Sequence, residues 1–172
     1  MDSGSPSFAA MALPHVDAAY NLARWLMGKD DEAEDVVQDA MVRALTYYPS
    51  FRGINPRAWI LQIVRNTAYS ALSARKVARL EPIAVSEDDE GVELADPADT
   101  PETALLRARD ARELDALLAR LPVELRETIV LRELEEMSYR DIAQVTEAPI
   151  GTVMSRLWRA RHLLAAAAKA AK

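Results

Sequence analysis

Apolar residues recur along this chain at the spacing of a helix surface. Ala33, Val36, Val37, Ala40, Met41, Ala44 and Leu45 step by three and one alternately, which lays them along one stripe. Asp30 or Asp31 stands where a cap would start that helix, first-turn acids suit the helix dipole, and Pro49 ends it. Its other side presents Glu34, Asp35, Gln38, Asp39 and Arg43, which by themselves suit a solvated face. A second helix is predicted to start at Asn55 as cap, with Pro56 in the first helical position. Trp59, Ile60, Ile63, Val64, Thr67, Ala68, Ala71 and Leu72 form its apolar stripe. Gln62, Arg65, Asn66, Tyr69 and Ser73 are left facing outward, with Arg75 and Lys76 beyond.

The pattern resumes further on. Leu114, Leu117, Leu118 and Leu121 predict one amphipathic helix closed by Pro122, and Leu125, Ile129, Val130 and Leu134 predict another. Ser138 can cap a short helix, with Asp141 placed to bond back and Ile142 and Ala143 buried. After a break at Thr146-Glu147-Ala148, Pro149 opens a last long helix with Ile150, Val153, Leu157, Ala160 and Leu164 inward. Trp158 reads as a packing or flanking residue, His162 as an exposed one, and the alanine-rich tail from Ala165 as a frayed end. The expected architecture is all-α.

Composition agrees: half of the residues are hydrophobic and only five are glycine. The chain has no cysteine, which excludes disulfides, thiolate metal sites and a cysteine nucleophile. His15 and His162 are too far apart in sequence to suggest a metal site. No cofactor site and no convergent catalytic group is legible, so an enzyme is not expected. No run reaches the roughly 18–20 apolar residues of a membrane span and no signal-peptide pattern opens the chain, so a cytoplasmic protein without membrane insertion is expected.

The net charge of −6 argues against nucleic acid until its distribution is considered. Residues 1–76 carry eight basic and eight acidic side chains, residues 77–105 one and nine, and residues 106–172 twelve and ten. The acidity is therefore concentrated in one segment, which includes three prolines between Glu81 and Pro101 and the run Glu87-Asp88-Asp89-Glu90. That segment reads as a linker, so two small helical domains are expected, residues 8–76 and 106–170, joined by an acidic linker at 77–105. Between Asp39 and Glu81 there are seven basic residues and no acid, and after Glu147 five and no acid. Local charge, not whole-chain charge, decides DNA binding.

Two constellations suit DNA. The loop from Tyr47 to Ile54 interleaves aromatic rings with Arg52, as single-stranded binding needs, though Phe51 and Trp59 equally suit the domain's own core. In the second domain, a short helix, a tight turn and a longer helix put Thr152, Ser155, Arg156 and Arg159 on one outward face. That is a helix-turn-helix layout, in which arginines reach guanine edges in the major groove.

Three motifs then resemble the extracytoplasmic-function (ECF) group of the sigma-70 family over about residues 14–164. They are Asp31-Glu32-Ala33-Glu34-Asp35-Val36-Val37-Gln38-Asp39, Arg57-Ala58-Trp59-Ile60-Leu61-Gln62-Ile63-Val64-Arg65-Asn66, and Ser138-Tyr139-Arg140-Asp141-Ile142-Ala143 with Pro149-Ile150-Gly151-Thr152-Val153-Met154-Ser155-Arg156-Leu157. The resemblance implies a sigma-2-like and a sigma-4-like domain that direct core RNA polymerase to promoter DNA. It implies polymerase docking through Glu34, Asp35, Gln38, Asp39 and Arg43. It implies capture of a melted −10 strand by Tyr48, Phe51, Arg52, Asn55, Arg57, Trp59, Gln62, Arg65, Asn66 and Tyr69, with one base flipped from the stack. Arg140, Thr152, Ser155, Arg156 and Arg159 would read duplex DNA at −35. An anti-sigma factor is the implied regulatory partner, and the linker would thread the polymerase near the RNA path. Ser70 and Ser73 stand where family members often have Asp and Arg, a departure at the strand-contacting end of the −10 helix; Met154 stands where a basic residue is usual, and that departure points to a different promoter preference. The alternatives are a sigma mimic that sequesters an anti-sigma factor and a stand-alone helix-turn-helix regulator.

Overall fold

The computed structural model describes residues 6–78 and 101–170, with the backbone alone for 101–108. Every regular element in these residues is helical. The first half comprises α1 (Phe8–Ala12), α2 (Val16–Met27), α3 (Asp30–Tyr47) and α4 (Pro56–Ala78). The second comprises α5 (Pro101–Ala119), α6 (Val123–Ile129), α7 (Tyr139–Thr146) and α8 (Ile150–Ala170). Helix thus occupies both ends of the stretch expected as linker, while the acidic run from Glu87 to Glu90 lies outside the described residues.

In the first half, α2, α3 and α4 pack pairwise around Leu22, Leu26, Val36, Ala40, Ile60 and Val64. The start of α3 differs from expectation. Lys29 occupies the cap position without a side-chain bond, and Asp30, Asp31 and Glu32 fill the first turn. Their charges complement the exposed amide groups even though none caps them. Asn55 does cap α4, its Oδ1 accepting from the Ala58 amide at 3.2 Å.

The turn between α2 and α3 depends on Gly28, which sits at φ 81° and donates its amide to the Arg24 carbonyl at 2.9 Å. A β-carbon there would meet nothing within 4 Å, so any cost of adding one is a backbone cost. Gly28→Ala is expected to lower stability by about 1 kcal/mol, the left-handed penalty less the entropy gain in the unfolded chain. Urea unfolding checks this; an unchanged midpoint would contradict it.

In the second half, Ser138 caps α7 by accepting from the Asp141 amide at 3.1 Å, and Val153, Leu157 and Ala160 anchor α8. Between α6 and α7 the chain makes a π-helical turn, Val130–Leu134, and Arg132 donates to the Met137 carbonyl at 2.8 Å. Ile150, expected inward, is exposed, as are Leu45, Leu114 and Leu134 at the edges of their stripes. The tail expected to fray is helical to Ala170. Trp158 is also exposed and stacks on His162, with ring centroids 3.7 Å apart.

The two halves share one continuous core. Helix α7 packs on α4, and α6 packs on α2. At the seam Arg126 donates to the carbonyls of Trp25 (3.2 Å) and Leu26 (3.5 Å) at the end of α2. It also donates to those of Leu118 and Leu121, each at 3.1 Å, where α5 ends. One guanidinium thereby ties the carbonyl ends of two helices together.

Candidate nucleic-acid interface

Three faces emerge when the expected site residues are located. On α3, Glu34, Asp35, Gln38, Asp39 and Arg43 are all exposed. Asp35, Asp39 and Arg43 line an open groove against α4, together with Ser70 and Arg75; Glu34 and Gln38 lie outside it. Arg75 pairs with Glu32 across the same groove. The stripe is acidic and solvent-exposed, with Arg43 and Arg75 beside it.

The loop between α3 and α4 folds back on its own domain. The Phe51 and Trp59 rings lie 4.6 Å apart, and a β-carbon on Gly53 would stand 2.8 Å from Phe51 Cε2. Glycine at position 53 is therefore what lets the ring lie there. Tyr48 is half-buried, its ring edge-on to Phe8 at 5.6 Å and its hydroxyl donating to the Pro6 carbonyl. Arg52 is exposed and donates to the Pro49 carbonyl at 2.9 Å.

The face of α4 expected to point outward is covered by the second half of the chain along Arg57, Gln62 and Arg65, while Ser73 and Lys76 stay exposed. Arg57 donates to the Glu135 carboxylate at 2.9 Å and to its carbonyl at 2.8 Å. Gln62 donates to Glu147 Oε1 at 2.7 Å. Arg65 makes a forked contact to both Glu127 oxygens, 2.9 and 3.2 Å, while its guanidinium stacks over the Tyr69 ring at 4.0 Å. Glu127 is fully buried, and burial pushes its carboxyl above the ordinary range, although Arg65, Tyr69 and Arg156 pull the other way. Burial also raises the Tyr69 phenol, assisted by the Glu127 charge. Asn66 is half-buried beside Arg65.

On the third face, Arg140, Ser155 and Arg159 are exposed and Thr152 is partly so. Ser155 donates to the Thr152 carbonyl at 3.0 Å, tying the hydroxyl to its own helix. Arg156 departs from the expected outward face: it is half-buried, and its Nη1 is shut away from solvent. Arg161, part of the acid-free basic run, pairs with Glu133 at 2.7 Å. Met154 is exposed among the outward residues of α8. Sequence reasoning missed Glu127, Glu135, Glu147 and Arg126. No periodicity marks them, because each acts on a segment at least 62 residues away, Arg126 also on nearby carbonyls.

With the geometry in place, comparison with known proteins assigns the family. Residues 11–77 match the sigma-70 region 2 model, and residues 111–164 match the sigma-70 region 4 model. The ECF RNA polymerase sigma-E factor of Haemophilus influenzae is 37% identical over 139 residues, covering 78% of this chain and 73% of that protein. The chain belongs to the ECF sigma factors.

This non-enzymatic family acts in transcription initiation, so the chain is an ECF RNA polymerase sigma factor of the sigma-70 family. The RNA polymerase sigma-H factor of Pseudomonas aeruginosa is a further relative, 36% identical over 77% of this chain and 71% of that one. Among solved structures, the sigma factor RpoE in complex with the anti-sigma factor NepR from Bartonella quintana superposes with a TM-score of 0.73. It is 30% identical and the match covers 89% of this chain and 91% of that chain. CnrH in complex with the cytosolic domain of CnrY gives a TM-score of 0.67 at 25% identity, covering 96% and 89%. Among the described residues no helix is long and apolar enough to cross a membrane.

Proposed function

We propose that this sigma factor docks on core polymerase through Asp35, Asp39 and Arg43 of α3, with Glu34 and Gln38 at the edge of the contact. In this reading Arg140, Thr152, Ser155, Arg156 and Arg159 contact duplex DNA at −35. Tyr48, Phe51, Arg52, Asn55, Arg57, Trp59, Gln62, Arg65, Asn66 and Tyr69 take the melted −10 strand. The observation that carries the reading is the division of charge among three faces of one chain: an acidic groove on α3, a donor-rich face on α4, and an acid-free outer face on α8. Duplex opening costs about 1.4 kcal/mol per base-pair step, and stacking a base on an aromatic ring returns about 1–3 kcal/mol. Aromatic rings at Phe51, Trp59 and Tyr69 are therefore sufficient in kind and size. In this reading helix α7, which packs on α8, is counted with the −35 unit. An anti-sigma factor is the proposed regulator, supported by the two structural relatives captured with CnrY and NepR.

Run-off transcription with purified core polymerase, with and without this chain, tests the reading. Promoter-specific product that requires both is expected; duplex binding without any polymerase-dependent product would favour a stand-alone regulator. Arg159→Ala should weaken promoter binding about 5–150-fold, the loss of one base-directed contact. Undiminished transcription from the cognate promoter would remove Arg159 from the −35 contact.

A further inference from the structure

Helix α1 belongs to none of the three faces, yet its N-terminal end touches one of them. The Pro6 carbonyl accepts the Tyr48 hydroxyl, and Phe8, in the first turn of α1, lies edge-on to the Tyr48 ring at 5.6 Å between centroids. Tyr48 opens the loop assigned above to the melted −10 strand. We propose that Pro6 and Phe8 form a strap that positions Tyr48, and with it the loop, for strand capture. Phe8 is then a positioning residue that acts through Tyr48 without touching DNA. The inference rests on the proposed use of that loop.

Three observations support it. The strap is fixed to the first domain: Ser7 caps α1, its hydroxyl accepting from the Ala10 amide at 3.2 Å and its carbonyl from the Met11 amide at 3.0 Å, and Met11 and Ala12 are buried in the core. The Pro6 carbonyl lies one residue before that cap, outside the bonding of the helix, so it is open to a hydroxyl from elsewhere. Next, the loop is bonded to itself. The Ser50 hydroxyl donates to the Tyr47 carbonyl at 2.7 Å, the Phe51 amide to the Tyr48 carbonyl at 3.0 Å, and Arg52 to the Pro49 carbonyl at 2.9 Å. A segment tied this closely moves as one piece, so a hold on Tyr48 is also a hold on Arg52. Finally, rings anchor the loop at two points, Tyr48 on Phe8 and Phe51 on Trp59. The second anchor comes from the adjoining helix α4, whereas Pro6 lies 42 residues from Tyr48. An aromatic side chain oriented before the strand arrives spares the cost of ordering it on binding.

Run-off transcription by holoenzyme reconstituted from core polymerase and the full-length chain tests the proposal. The template is a promoter enriched from a random duplex library by the parent holoenzyme, used both fully paired and with its −10 region mismatched into a bubble. Phe8→Ala is expected to lower product from the paired template about threefold to tenfold, the cost of ordering a side chain no longer held in place. On the bubble the opening cost is already met, and the loss should stay under about twofold. Phe8→Tyr, which keeps the ring edge, should restore the paired template to within about twofold of the parent. Leu13→Ala, at an exposed position just beyond α1, should leave both templates unchanged. Phe8→Ala/Tyr48→Ala should be no weaker than Tyr48→Ala, because Phe8 acts through that ring. Equal losses on both templates, an unchanged paired template, or additive losses in the double variant would each overturn the proposal. Should Phe8→Ala lose its circular-dichroism signature, Phe8→Leu, which keeps the bulk without the ring, carries the same test. Failure of the parent to make product would discard the sigma reading of the loop, whereas an active parent beside an unaffected Phe8→Ala would discard the strap alone.

Discussion

Leu61→Ala is expected to remove about 2–5 kcal/mol of stability, whereas Leu45→Ala should change it by no more than about 0.5 kcal/mol. The helical periodicity ranks the two the other way. Leu45 falls on the predicted apolar stripe of α3 and Leu61 falls outside that of α4. In the structure Leu61 is fully buried and Leu45 is 55% exposed. Leu61 lies at the boundary between the stripe that packs on α2 and α3 and the face covered by the second domain, so the walls on both sides are held by separate elements. A cavity there has little freedom to collapse, which places the cost toward the upper end of the range. Against a total stability of about 5–15 kcal/mol, such a loss is readily measured and can unfold a chain of marginal stability. Urea denaturation of both variants checks the ranking. Equal midpoints would mean that the two halves of the chain do not share a core in solution.

Reversing the α3 stripe with Asp35→Arg/Asp39→Arg is expected to weaken core-polymerase binding by about 2–4 kcal/mol, roughly 30- to 1000-fold. Both carboxylates are exposed, so the folded chain should tolerate the change within about 0.5 kcal/mol. Truncation would remove an attraction, whereas reversal also sets like charges against a basic partner, which makes it the larger perturbation. The effect should fall mainly on association and shrink as salt rises, because the groups are solvated. Binding to labelled core polymerase at two salt concentrations measures it, and duplex binding by the same full-length variant serves as the folding control. Parallel loss of both activities would indicate a damaged fold; loss of neither would move the docking surface elsewhere.

Much of the fold was legible because it depends on local chemistry. The Asn55 cap and Pro56 start of α4, the Ser138 cap of α7 and the stripes of α3 and α8 each follow from a residue's own neighbours. The exceptions are instructive. An acid at the start of α3 did not become the cap, because Lys29 already holds that position and the acids act through their charge instead. Ile150 points outward because it is the first residue of α8, where the core has not yet closed over the helix. The candidate site was legible as a set of side chains and not as a set of free surfaces. Arg57, Gln62 and Arg65 were identifiable from their motif. That three glutamates of another domain hold them was not, since neither helical period nor charge balance encodes contacts across 62 to 85 residues.

The sequence by itself determined an all-helical chain and the family to which it belongs. It did so because caps, apolar spacing and the helix-turn-helix motif are local patterns, set by the 3.6-residue period and by donors and acceptors a few residues apart. The tertiary structure alone decided which faces of those helices are open. By joining the two cores at the α2–α6 and α4–α7 contacts, it left the acidic stripe of α3 in solvent and turned the donor face of α4 onto Glu127, Glu135 and Glu147. The physical reason is burial: a helix's own period says which side is apolar, but only the packing of a distant element decides which of its polar sides loses contact with water.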